Sequence, residues 1–335
     1  MSYAERKTLY SRIEKERSSR VIAFVTGDRR GMETRIADDC ISLFVDLLDE
    51  IGPTKKLTLL LHTSGGDTLA AWRLVNMIRT FCDDFEVIVP MKALSAGTLI
   101  CIGSDRVVMT KQAALGPIDP SVNHPLNPQV NVGGAMQHVS VSVEAVRGYL
   151  DAARSELGIK GKDALAGVLV NLASHIHPLV IGEIFRSRAQ IRFLADKLIG
   201  RQISDQKTKQ RLVDFLCANS GSHDYTINRR EAAELGLSID KPSTEFYQVL
   251  RSIHQSYVTE LKLLEPYSQQ GVVGATPQGQ AVPYTEVRGL VESTSGGGYS
   301  FVSEGNLTKV PVQTQAGVQE GIQDERAFEG WRKHK

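Results

Sequence analysis

The run from Leu57 to Pro120, LTLLLHTSGGDTLAAWRLVNMIRTFCDDFEVIVPMKALSAGTLICIGSDRVVMTKQAALGPIDP, reads as strand, glycine turn, helix, strand, small-residue turn, helix, strand. Apolar segments of strand length are each followed by a segment of helical period. Both turns, Thr63-Ser64-Gly65-Gly66-Asp67 and Ala93-Leu94-Ser95-Ala96-Gly97, therefore fall at the carboxyl ends of strands. In α/β sheets ligands bind beyond those ends, where helix starts present unpaired N–H groups. Glycines in the first turn let the backbone approach a ligand closely. The second turn offers a serine hydroxyl and the N–H of Ala96. A nucleophile beside amide donors is the equipment of acyl transfer.

Each feature alone has a plainer reading. Ser-Ala-Gly at a helix start is commonly an N-cap, and Gly-Gly after a strand is commonly a turn. Their order and interval are more telling. Ser95 lies 29 positions after Gly66, and that interval within this strand and helix order resembles the Clp peptidase and crotonase superfamily. Upstream, Arg20 to Gly27 resembles its first strand, followed by a helix from Glu33 to Glu50. Downstream, His223-Asp224-Tyr225-Thr226-Ile227 and then Glu231 to Leu237 resemble its closing segment, with Asp224 seven positions before Glu231. HTSGGD, LGPIDP and SHDY point to the serine dehydrogenase proteinase family, over residues 19 to 240.

The resemblance implies an α/β fold, a Clp/crotonase-like repeated ββα spiral with added helices and an extended C-terminal tail. It also implies a serine peptidase acting on a peptide or protein substrate. Ser95 would be the nucleophile, Asp224 the orienting acid, and Gly66 and Ala96 the oxyanion donors, with Gly65 and Asp67 in the substrate site. The base falls first on His177, ahead of Pro178 and a long helix, with His175 and His124 as alternatives. Read without the resemblance, Asp67 is a helix cap, Asp224 a turn aspartate and each histidine a hydrogen-bonded structural residue. A serine–lysine pair is disfavoured. No lysine occurs between Lys111 and Lys160, and Lys92 and Lys111 are expected at the surface beside strands.

No metal or cofactor is expected. His175 and His177 are spaced to point apart on a helix, and Thr63 to Asp67 lacks the Lys-Ser/Thr ending of a phosphate loop. A formal net charge of +1 over 335 residues gives no reason to invoke nucleic acid. The cysteines, Cys40, Cys82, Cys101 and Cys217, show no paired spacing and read as buried free thiols in a reducing compartment. The N-terminus is charged, and no window approaches the about 20 apolar residues of a membrane span. A cytoplasmic protein without membrane insertion is expected.

The chain divides on this reading into an N-terminal helix (1–18), a peptidase domain (19–240) with an insertion at 121–172, a helix (241–265) and a mobile or partner-ordered tail (266–335). The tail carries one expected hairpin, over 283–312. The 178–199 helix matches the family's handle toward a neighbouring subunit, so a homo-oligomer is expected. Two other functions fit the same fold, a non-catalytic oligomeric scaffold and a crotonase-type acyl-CoA enzyme.

Overall fold

Helix α1 (Tyr3–Arg17) leads into the first of a series of buried strands, after which one pattern repeats: a long strand, a short second-layer segment, a helix. Strand β1 (Arg20–Thr26) is followed by Ile36 and α2 (Cys40–Ile51), and β2 (Thr54–His62) by the 63–66 turn and α3 (Thr68–Phe81). Next come β3 (Cys82–Val89), β4 (Lys92–Ala93) and α4 (Ala96–Ile102), then β5 (Arg106–Met109) and β6 (Ala114–Leu115). The middle of the chain holds β7 (Ser121–Val122), β8 (Gln129–Val132), β9 (Ala135–His138), β10 (Val141–Ser142), α5 (Val143–Asp151), α6 (Lys162–His175), α7 (Pro178–Ile199) and α8 (Gln206–Asp214). After it come β11 (Ile227–Asn228), α9 (Arg229–Glu234), β12 (Ile239–Asp240), α10 (Thr244–Glu260), α11 (Gln269–Val273), β13 (Ala281–Ser293), β14 (Gly297–Thr314) and β15 (Gly317–Lys333). This computed structural model describes residues 2–118, 121–122, 124–132, 135–219, 225–314 and 317–334. It divides into two units, 1–115 with 227–335, and 116–226.

In the first unit the long strands form an eight-stranded sheet in the order β12-β5-β3-β2-β1-β13-β14-β15. From β12 to β1 neighbouring strands are parallel, and β13 joins β1 antiparallel. The strands β1, β2 and β3 are buried almost throughout because helices cover both faces, so they read as apolar runs without alternation. The short segments make the second layer. β4 pairs with β6 and β6 with β11, while Thr63 bridges Ala93 and Gly66 bridges Ile36.

One face of the sheet, bearing Val21, Ala23, Val25, Leu60, Ile88 and Val108, packs on Tyr10 and Ile13 of α1 and on Phe246, Val249, Leu250, Ile253 and Tyr257 of α10. α1 is therefore packed into the core of the first unit through Tyr10 and Ile13. Its Arg6 is fully buried, with Nε donating to Glu292 Oε2 at 2.8 Å, and Tyr10 Oη donates to the same oxygen at 2.6 Å.

Residues 266–335 correct the expectation of an extended tail. They supply α11 and three long antiparallel strands that continue the main sheet. The β13–β14 hairpin spans the expected 283–312, and β14 turns back into β15 over sixteen further pairings, from Tyr299↔Lys333 to Thr314↔Gly317. A polar composition was compatible with strands because Glu292, Ser293 and Ser303 are buried among polar partners.

The second unit is larger than the expected insertion, running to 226 and taking in the long helix. Pro178 sits in the first turn of α7, where a missing N–H costs nothing. Val180, Ile181 and Ile184 pack on Val141, Val143, Val146 and Leu172. Leu169 and Val170 of α6 are exposed. Among the described residues no single helix is long and apolar enough to cross a membrane, although α6 and α7, bent by 106°, meet that test as a pair by length and composition.

Candidate active site

Strand β2 ends at His62, and Thr63 then ties the two turns together. Its N–H donates to the Lys92 carbonyl and its carbonyl accepts from Leu94 N–H, both at 3.1 Å. The Thr63 hydroxyl accepts from Gly65 N–H at 3.0 Å and lies 2.6 Å from the Thr26 hydroxyl, so the turn is anchored beneath as well as beside. On the far side Ile36 N–H donates to Gly65 O (2.9 Å) and Asp67 N–H donates to Ile36 O (2.7 Å). In a parallel bridge these groups flank Gly66, so its own N–H faces away from Ile36. Glycine is required here. Gly66 has φ +147°, and a Cβ on it would lie 2.2 Å from Ile36 O.

Ser95 has φ 51° and ψ −115°, a conformation rarely adopted by residues other than glycine. Such a backbone costs about 1–3 kcal/mol and persists only when its surroundings enforce it. Here the Thr63–Ala93 bridge fixes the chain just before Ser95, and the fully buried α4 fixes it just after. Gly97 allows that close packing, since a Cβ there would stand 2.5 Å from Thr63 Cγ2. Ser95 itself is half-buried. Among the described residues its hydroxyl has no hydrogen-bond partner, and neither do the N–H groups of Gly66 and Ala96. Gly65, at φ +112°, packs directly on Ser95. The structure thus brings Gly65, Gly66, Ser95 and Ala96 into one turn pair. A free hydroxyl and free amides there are the parts needed to attack a carbonyl and hold its oxyanion.

The remaining expected residues stand differently. Asp67 caps α3, its Oδ1 accepting from Leu69 N–H (2.7 Å) and Ala70 N–H (2.8 Å), so this carboxylate is engaged as a cap. Asp224 lies outside the described residues. The three histidines belong to the second unit. His177 caps α7 through Nδ1, which accepts from Leu179 N–H at 3.2 Å, and His124 Nδ1 accepts from Leu126 N–H at 3.0 Å. Each neutral ring then carries its proton on Nε2 and has no lone pair left for a serine proton. His175 has the opposite arrangement, with Nδ1 3.0 Å from the Asn171 carbonyl, to which it must donate. Its Nε2 is left as an acceptor.

A polar cluster at the base of the two turns escaped the sequence reading. Lys92, expected at the surface, is half-buried and ion-paired with Asp28. His62, fully buried, places Nε2 3.7 Å from the other oxygen of Asp28. Burial alone would raise the Asp28 pKa, but His62 and Lys92 outweigh it and hold the carboxyl well below its ordinary range. The ring of His254, from α10, lies 5.3 Å from that of His62. Burial first, and then His62, push His254 down to about 4. The only hint in the sequence was polar residues ending otherwise apolar strands.

The repeated strand, second-layer segment and helix, carrying a strained serine at the third repeat, place the fold in the ClpP-like class. Residues 1–133, which contain both turns and the polar cluster's Asp28, His62 and Lys92, match the ClpP-like SDH-type serine proteinase family. The resemblance and the Clp-like α/β fold read from the sequence are borne out at that level. Two uncharacterised proteins of Methanocaldococcus jannaschii are similar. One is 26% identical over 223 residues, covering 67% of this chain and 64% of its own length. The other is 25% identical over 280 residues, covering 81% and 78%. The chain thus matches under two thirds of the first relative. Among solved structures, a membrane-bound stomatin-specific protease is 15% identical, with TM-score 0.36 over 64% of this chain and 79% of that one. ClpP1 from Listeria monocytogenes is 13% identical, with TM-score 0.36 over 70% and 99%.

Proposed function

We propose that this chain is a serine peptidase that cleaves peptide bonds through an acyl-enzyme on Ser95. The observation that carries the reading is the Ser95 turn itself: a strained, half-buried serine with an uncommitted hydroxyl, beside the uncommitted amides of Gly66 and Ala96. The family match over 1–133 supports it. In this mechanism Ser95 Oγ attacks the scissile carbonyl carbon and its proton passes to a histidine. The resulting oxyanion is held by Gly66 and Ala96 N–H, and the histidine returns the proton to the leaving amine. Water then releases the acyl group by the same route.

His175 is the preferred base, because its Nδ1–H is donated to Asn171 and its Nε2 is free to accept. His177 and His124 would each have to give up a local backbone hydrogen bond first. Asp224 is retained as the orienting acid on the resemblance alone, and a homo-oligomer as the working assembly. The four cysteines are not rival nucleophiles. All are buried, and burial pushes Cys82 up to about 11 and Cys40 up to about 12. Free thiols of this kind fit a reducing, cytoplasmic setting.

The test is labelling of the folded protein with a fluorophosphonate probe. Labelling should vanish in Ser95→Ala and fall sharply in His175→Ala, with His177→Ala and His124→Ala retaining most of it. A folded wild type that takes no label would overturn the peptidase reading in favour of the scaffold or the acyl-CoA enzyme.

A further inference from the structure

Three successive parallel strands, β1, β2 and β3, each bring one polar side chain to a common point, at or just beyond the strand's carboxyl end. Asp28 lies two residues beyond β1, on the loop that returns through Ile36 to hold Gly66. His62 is the last residue of β2, directly before Thr63. Lys92 opens β4, three residues before Ser95. Lys92 Nζ pairs with Asp28 Oδ2, and His62 Nε2 stands 3.7 Å from Asp28 Oδ1, beyond hydrogen-bond reach. Among the described residues neither ring nitrogen of His62 has a hydrogen-bond partner, although the residue is only 2% exposed. Leaving a buried polar group unpaired is costly, a cost that an apolar residue after the Leu59–Leu61 run would avoid. Among the described residues the charged and titratable groups at His62 are Asp28, Lys92, through Asp28, and His254.

The backbone around Lys92 gives this cluster its leverage. β4 is two residues long, and its alignment with the first turn rests on two hydrogen bonds, Thr63 N–H to Lys92 O and Leu94 N–H to Thr63 O. So short a strand has little cooperative pairing to hold its register. The Lys92 side chain supplies a second tether from the same residue, running to the loop that secures the Gly66 side of the site.

We infer that Asp28 is a positioning residue of the Ser95 site. Its carboxylate anchors Lys92, and through Lys92 it holds the Ser95 turn in register with the Gly65–Gly66 turn, while His62 stands as the second group drawn to the same carboxylate. The inference rests on the peptidase reading for its catalytic consequence, but its structural half stands apart from it. Lys92 is accordingly no base. Its ammonium is committed to the Asp28 carboxylate by the ion pair.

Four variants separate the possibilities: Asp28→Asn, Lys92→Met, His62→Gln and, as the conservative control, Lys92→Arg. Three measurements are made on each: the fluorophosphonate labelling rate, kcat and KM on a peptide substrate, and amide hydrogen exchange across residues 60–66 and 92–98. Asp28→Asn and Lys92→Met should lower labelling and kcat by about 100-fold through misplacement of the nucleophile, leaving KM within about twofold. Exchange at Thr63 and Leu94 should quicken while the rest of the sheet stays protected. Lys92→Arg should restore most of the rate, and His62→Gln should fall between. Wild-type rates in both Asp28→Asn and Lys92→Met, or faster exchange spread over the whole first unit, would overturn the positioning role. If the wild type takes no label at all, the peptidase reading fails. Exchange at Thr63 and Leu94 then decides the tether by itself: local quickening upholds it, and unchanged protection removes it.

Discussion

Gly65 and Ser95 are packed so closely that a Cβ added to Gly65 would lie 2.8 Å from Ser95 Cβ and 3.3 Å from Ser95 Oγ. The glycine is a spacer for the Ser95 side chain as well as a turn former. Gly65→Ala should therefore displace the serine hydroxyl, slowing fluorophosphonate labelling by about 100-fold. The positive φ adds a stability loss of about 1–3 kcal/mol, read from urea denaturation. Labelling at the wild-type rate would mean that the turn relaxes elsewhere.

Strain at Ser95 makes a prediction of opposite sign for stability. Ser95→Ala and Ser95→Gly both remove the hydroxyl and abolish labelling, but only glycine accepts φ 51° freely. After allowing for the greater freedom of glycine in the unfolded chain, Ser95→Gly should be more stable than Ser95→Ala by about 1 kcal/mol. Equal midpoints in urea for the two variants would show that the observed backbone is unstrained.

The histidine pair beneath the turns should write itself into the pH dependence of folding. An unfolded histidine titrates near 6.5, whereas His254 is pushed down to about 4. Between those values the unfolded chain holds the extra proton, so this group makes stability fall as pH drops through the window from about 6.5 to about 4. Asp28, held below its ordinary range, stays ionised across the same interval. His254→Gln should therefore gain on the wild type as the pH is lowered from 7 to 4.5. Parallel stability curves for the two proteins would contradict the burial argument.

The network that fixes α1 gives a sharper energetic test. Arg6 and Glu292 are both fully buried and paired, and Glu292 also accepts from Tyr10. Removing one member leaves an uncompensated buried charge, a loss of about 3–5 kcal/mol, whereas removing both charges is far milder. Arg6→Met should thus be more destabilising than the double variant Arg6→Met with Glu292→Gln. Additive losses from the two substitutions would refute the coupling.

The two turns were legible because their signals are local. Glycines and small residues interrupting apolar strands mark the positions, and the interval from Gly66 to Ser95 is fixed by one strand and one helix. Asp28, His62 and Lys92 left no such mark, since they meet only after β1, β2 and β4 have been aligned. The base remained open for a related reason. Several histidines follow Ser95, and the hydrogen-bond directions on which the proposal prefers His175 to His177 and His124 are encoded by no spacing. The C-terminal strands were hidden by their chemistry. Long hairpins with one half-exposed face carry few apolar residues, and the polar side chains they bury, such as Glu292, are satisfied by α1, almost the whole chain away.

That C-terminal region is integral to the sheet in one part and dispensable in another. β13 pairs with β1 from Ile22↔Ser293 to Thr26↔Gly289, buries Leu290 and Val291, and supplies Glu292 to Arg6. A chain ending at Glu265 would expose β1 as an apolar edge with unpaired backbone groups, and it should fail to fold and aggregate. The far end of the β14–β15 hairpin lacks such support. Pro311, Val312 and Gln313 face solvent opposite Val318, Gln319 and Glu320, all exposed as well. Val310 pairs with Gly321, so 311–320 can be replaced by a two-residue Asn-Gly turn that closes the hairpin at that pair. The shortened protein should unfold within about 1 kcal/mol of the full chain, as expected for surface changes that touch no buried group. Its Ser95 labelling rate should also be unchanged. A labelling rate that rises on shortening would instead show that the hairpin tip covers the Ser95 turn.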